Sequence, residues 1–128
     1  MNYGRHFEEF EVGEVIKHWP GRTISETDNT WFSLFTQNQH PVHIDANYAS
    51  STQYEQNLVN GLLVLAIAIG QTVADISGRA IANLDYESVT HDSPTFNGDT
   101  IYTKSTILEL RETSKGDRGV VYLETEVT

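Results

Sequence analysis

Gly61 opens an unbroken apolar run, Leu62-Leu63-Val64-Leu65-Ala66-Ile67-Ala68-Ile69, and no other stretch constrains the fold as much. A helix that is apolar all round has no solvent face of its own and must be covered on every side. A buried strand also gives such a run. Gln71, Thr72, Ala74 and Asp75 lengthen the segment toward helical dimensions, and Ser77-Gly78 supplies a stop. The pattern therefore predicts a central helix over residues 61–76, buried on all sides. The run is far shorter than the roughly 20 residues needed to cross a bilayer.

The rest reads as short helices, loops and strands. Residues 1–13 form an irregular, aromatic-rich lead-in, and residues 15–25 look extended with a break at Pro20-Gly21. Two capping-box spacings follow, Thr23-Ile24-Ser25-Glu26 and Ser25-Glu26-Thr27-Asp28. Trp31, Phe32, Leu34 and Phe35 fall on one face of a short helix. Residues 38–45 read as a loop, and residues 45–52 as another short helix with Asp45 as its cap. Beyond the central helix the pattern is strand only, over residues 80–91, 100–112 and 119–128.

A buried helix followed by long antiparallel strands predicts an α+β fold in which the sheet wraps round the helix, the hot-dog arrangement. Such sheets use five or more strands, whereas four candidates are present here. The last, from Val120 to Thr128, stops in mid-pattern. The expectation is one hot-dog domain over residues 1–128 that lacks its C-terminal strand. Either the polypeptide continues past Thr128 or a partner strand completes the sheet, because unpaired edge groups are costly.

Composition narrows the function. The chain has 128 residues, enough for one domain with a real core, and no cysteine, which removes thiolate nucleophiles, disulfides and cysteine-zinc sites. Eight Lys+Arg stand against 18 Asp+Glu, a net charge of −10 without a basic run, which argues against nucleic acid and anionic membrane as partners. Residues 1–10 lack the apolar core of a signal peptide, so a cytoplasmic protein is expected. Lys115 and Arg118 form one small basic cluster, more simply read as a solvated hairpin loop.

The chemistry concentrates in Asn38-Gln39-His40-Pro41-Val42-His43-Ile44-Asp45, with Gly61 eighteen residues after His43. An amide, two imidazoles and a carboxylate lie around a rigid proline, followed by a glycine at a helix start. Imidazole can move the proton of a water, and a helix-terminal N–H can hold a developing oxyanion. His40, His43 and Asp45 could also be read as metal ligands, but no further His or Cys signature supports that, so no metal is expected.

The segment from Phe32 to Gly61 resembles the hydratase motif of the MaoC-like family, the (R)-specific enoyl-CoA hydratases and dehydratases. His43 matches the motif histidine, Pro41-Val42 the Pro-aliphatic pair, Asp45 and Ala49 the motif's tail, and Gly61 the helix-entry glycine. The turn Pro94-Thr95-Phe96-Asn97-Gly98-Asp99-Thr100-Ile101 resembles another family motif. Asn38 stands where the family has its catalytic Asp, and His40 where it has Asn. Asn-x-His-Pro-aliphatic-His is similar to the mesaconyl-CoA hydratase branch, which interconverts mesaconyl-CoA and β-methylmalyl-CoA. Ile81-Ala82-Asn83-Leu84 and Gly116-Asp117-Arg118-Gly119-Val120-Val121-Tyr122 carry the same likeness.

The resemblance implies a hydro-lyase acting on an acyl-CoA thioester. It needs no cofactor beyond the coenzyme A of its substrate, and the protein is a homodimer or higher homo-oligomer. On this reading His43 is the acid/base, Asn38 positions the water, and the Gly61 N–H binds the thioester oxygen. His40 assists proton transfer or contacts a substrate carboxylate. Trp31, Phe35 and Tyr54 are the candidates for lining the acyl pocket. Two alternatives stay open: a non-catalytic acyl-CoA-binding subunit, and a thioesterase. The latter is disfavoured because the central helix carries no carboxylate before Asp75.

Overall fold

The computed structural model describes residues 3–128, so the first two residues of the lead-in lie outside the described residues. The elements are β1 (Val15–Lys17), β2 (Arg22–Thr23), α1 (Glu26–Phe35), α2 (Pro41–Ile44), α3 (Ala46–Ser50), α4 (Gly61–Thr72), β3 (Thr100–Ile101), β4 (Thr103–Glu112) and β5 (Gly119–Val127). They divide into two compact units. One holds residues 22–67 and 86–101, and the other holds the described residues up to 21 together with 68–85 and 102–128.

The second of these units carries an antiparallel sheet of order β1-β4-β5. Alternation along β4 places Thr103, Ser105 and Ile107 on its buried face, as period-two patterning requires. Phe10, Ile76 and Ile107 form the core there, with Ile16, Leu110, Val121 and Leu123 packed against it. A polar chain lies in the same unit. His18 Nδ1 is 2.7 Å from Asp75 Oδ2, and Nε2 is 2.8 Å from Ser105 Oγ, which in turn is 2.8 Å from Thr125 Oγ1. The composition is that of a hydrolase triad, but Ser105 has no accessible surface, so no acyl group reaches its hydroxyl. This chain satisfies buried polar atoms and ties the segment after α4 to β1, β4 and β5.

The other unit pairs β2 with β3 and packs Ile24, Val59, Leu63 and Ile101 into a separate core. Ser25 caps α1 by accepting from the Asp28 N–H, while the Asp28 carboxylate accepts from the Ser25 N–H. Of the two capping-box spacings, the second is thus the one used. Asp45 caps α3 through the Tyr48 N–H, as expected.

Several expectations are corrected. The central helix ends at Thr72 rather than Ile76: the Ile69 carbonyl accepts from the Thr72 hydroxyl, and the Val73 N–H turns to the Gly70 carbonyl three residues back. It is also not covered on every side: Leu62 is 58% exposed, and Ala66 and Gly70 share that open stripe at four-residue intervals. Residues 80–91 form no strand, and Ile81, Leu84, Tyr86 and Val89 are all exposed. Pro41–Ile44 is a helical turn, not loop, begun by Pro41 at the first helical position and by a His40 cap. Most of the apolar face of α1 points outward: Trp31, Leu34 and Phe35 are exposed, Phe32 alone of the four packs on the core, and Asn29 and Ser33 are buried. Its inward side thus joins a polar pair, Asn29 and Ser33, to Phe32.

Asp28 also accepts two hydrogen bonds from the Arg22 guanidinium. The guanidinium, with help from the Ser25 N–H, lowers the Asp28 carboxyl from 3.8 to about 2. A depressed carboxyl stabilises the fold above its ordinary value, and that contribution disappears as pH falls through the folded value. Urea midpoints measured from pH 5 to pH 2 should therefore fall less steeply for Asp28→Asn than for the parent. Identical slopes would contradict the pairing.

Candidate active site

His43 sits on the single turn of α2, half-buried. Its Nδ1 lies 2.7 Å from the Leu58 carbonyl oxygen. A carbonyl only accepts, so Nδ1 carries the proton, and in the neutral ring Nε2 is left with a free lone pair. His40 stands 6.0 Å away, ring centre to ring centre. Its Nδ1 accepts the Val42 N–H at 3.1 Å, which caps α2 and puts the ring's proton on the exposed Nε2. Asn38 is exposed, and its Oδ1 accepts the His40 N–H at 3.1 Å, holding the turn into α2.

The residue that binds these parts together is Asn29, fully buried on α1. Its Nδ2 donates to the Leu58 carbonyl at 3.0 Å, to Asn97 Oδ1 at 3.1 Å and to the His43 carbonyl at 3.3 Å. Its Oδ1 accepts the Asn60 N–H at 3.0 Å. Asn60 in turn caps α4: its Oδ1 accepts the Leu62 N–H, and its Nδ2 donates to Ser33 Oγ. One amide thereby fixes both the histidine and the start of the helix that presents Gly61. The network escaped the sequence reading. Its signals were the Asn60-Gly61 pair, an N-cap residue directly before the apolar run, and the polar stripe of Asn29 and Ser33 at helical spacing.

Gly61 is the first residue of α4, and among the described residues nothing accepts its N–H. A methyl group there would come within 2.9 Å of the His91 ring, so a side chain at this position would push that ring aside. Two residues further along, Leu63 and then Ile67 join Arg22, Asp28, Trp31, Phe32 and Phe35 around an open cavity of about 320 Å³. Trp31 and Phe35 are therefore brought to one apolar groove. Tyr54 is not; its ring packs on Phe96 at 6.0 Å. Among the described residues there is no group of three or more His, Asp or Glu arranged to hold a metal, and no helix is long and apolar enough to cross a membrane.

A conserved hypothetical protein from Mycobacterium tuberculosis described as a double hot-dog fold superposes with a TM-score of 0.85. It is 28% identical, and the match covers 97% of this chain and 39% of that one. A crystal structure of a MaoC domain protein dehydratase from Chloroflexus aurantiacus superposes with a TM-score of 0.92 at 35% identity, covering 99% of this chain and 36% of that one. The fold is the α+β hot-dog fold. The family model described as "MaoC like domain" matches residues 8–128, and the chain belongs to that family. The β-methylmalyl-CoA dehydratase of Chloroflexus aurantiacus is 36% identical over 122 residues, 95% of this chain and 35% of the relative. The chain spans little more than a third of the length of these relatives.

Replacing Asn29 with Ala would strand the Asn60 N–H and weaken the hold on the Leu58 carbonyl. Each buried group left unsatisfied costs about 1–3 kcal/mol. Chemical denaturation of Asn29→Ala should show a loss of about 3 kcal/mol, well beyond the cost of an exposed truncation. A loss under about 1 kcal/mol would mean that the amide does not organise the unit.

Proposed function

We propose that this chain supplies a hydratase site that adds water reversibly to the double bond of an enoyl-CoA thioester. The particular pair we favour is mesaconyl-CoA and β-methylmalyl-CoA. The observation that carries the reading is the Nδ1–H of His43 held on the Leu58 carbonyl, which leaves Nε2 as the proton acceptor. Water adds to the β-carbon while His43 Nε2 takes its proton. The π electrons move to the thioester oxygen, and the proton then passes from His43 to the α-carbon. The net change is one water added, with the protein unaltered.

The remaining residues take supporting roles in this scheme. Asn38 keeps its Nδ2 group for the water, which an amide can orient but not deprotonate. His40, with Nδ1 committed to the cap, has its Nε2–H left to donate, which suits a substrate carboxylate better than proton abstraction. The free Gly61 N–H, at the positive end of α4, receives the enolate oxygen. Trp31 and Phe35 line the acyl groove. A second hot-dog unit, either another copy of the chain or a like domain, covers the exposed Leu62-Ala66-Gly70 stripe. The length of the relatives and the double hot-dog neighbour support this arrangement.

The test is loss of the enoyl-thioester absorbance when the protein is mixed with mesaconyl-CoA or crotonyl-CoA. His43→Ala should lower turnover about 10²–10⁴-fold, the usual contribution of a general base, with the thermal transition nearly unchanged. Binding of the thioester without loss of the band in the parent protein would instead indicate a non-catalytic acyl-CoA-binding subunit.

A further inference from the structure

The oxyanion site described so far has one donor, the Gly61 N–H, and stabilising an enolate oxygen generally calls for more than one. The irregular segment that replaces the expected strand at residues 80–91 brings His91 to the same spot. An ideal Cβ on Gly61 would lie 2.9 Å from His91 Cε1, 3.1 Å from Nε2 and 3.2 Å from Nδ1. The nitrogen-bearing side of the ring thus lies across the α-carbon of Gly61. Neither ring nitrogen has a hydrogen-bond partner among the described residues, and the ring is exposed. The start of α4 therefore has a backbone N–H without a protein acceptor and, beside the same residue, an imidazole whose nitrogens bond to no protein group among the described residues.

We propose that His91 is a further catalytic residue, the second hydrogen-bond donor to the thioester oxygen beside the Gly61 N–H. The inference rests on the hydratase reading. An oxygen accepting from the Gly61 N–H sits about 2.9 Å from that nitrogen. The imidazole nitrogens, 3.1 and 3.2 Å from where a Cβ on Gly61 would be, lie beside the same residue, and turning the exposed ring would aim one of them at that oxygen. Imidazole carries at least one N–H in both its neutral and its charged form, so the role does not depend on its protonation. His91 also explains why residue 61 has no side chain: a methyl group would displace the ring that shares its ligand. Packing alone would make a different demand, since any flat ring would then serve.

The experiment separates donor from packing, and both from the hydratase reading. Crotonyl-CoA is bound to His43→Ala protein, in which turnover is suppressed, and the difference spectrum of the thioester is recorded. Hydrogen bonds to the carbonyl polarise the conjugated system and shift its band to the red. The shift should shrink in His43→Ala/His91→Phe, which keeps a flat ring but no donor, and persist in His43→Ala/His91→Gln, which keeps an N–H. In the otherwise native protein His91→Phe should lower kcat about 10²-fold, toward the low end for loss of one oxyanion donor. KM should change little and the glutamine variant should recover most of the rate. A full red shift and full kcat in His91→Phe would overturn the proposal while leaving the hydratase reading intact. Absence of hydration by the parent protein would overturn that reading, whereas the spectral shift would still decide whether His91 donates to the carbonyl.

Discussion

Four stretches far apart in sequence meet at the side-chain amide of Asn29: the α2 turn with His43, the Leu58–Asn60 segment, the Asn97 turn and α1 itself. Inside a protein an amide that loses its water must find partners for every polar atom, and this one does. Because Asn29 and His43 share the Leu58 carbonyl, the bond that orients the imidazole is part of the same network that sets the Asn60 cap. His43 and the start of the helix that presents the Gly61 N–H are positioned by one buried side chain rather than by two independent pieces of structure.

That arrangement accounts for the inverted helix α1. A helix normally turns its apolar stripe to the core, yet here Asn29 and Ser33 face inward and Trp31 and Phe35 face out. The inward polar pair holds the site together. The outward aromatics, with Leu63 and Ile67 of α4, leave an apolar groove next to the helix whose first residue is Gly61. The exposed aromatic surface is a cost that only a ligand or a covering surface offsets.

Much of this was legible in the sequence. The Gly61 helix start, the Asp45 cap, the Ser25 capping box and the strand alternation of β4 all depend on local rules, and local rules act within a few residues. The direction of α1 was not legible. Aromatics at helical spacing mark a face, but whether that face is covered depends on partners distant in sequence. Residues 80–91 failed as a strand for a related reason: β propensity needs a neighbouring edge, and none of the described strands pairs with them. Asn29 left only a weak trace, since a lone buried amide has meaning through Leu58, Asn60 and Asn97 and through nothing adjacent to it.

The central claim is that the Asn29 network fixes the tautomer of His43, and the ring nitrogens report that directly. Nitrogen NMR of uniformly labelled protein with the ring neutral should show His43 with Nδ1 protonated and Nε2 bare. This is the reverse of the form that free histidine prefers. Asn29→Ala should lose that preference. A native His43 with its proton on Nε2, or a tautomer unaffected by Asn29→Ala, would contradict the account.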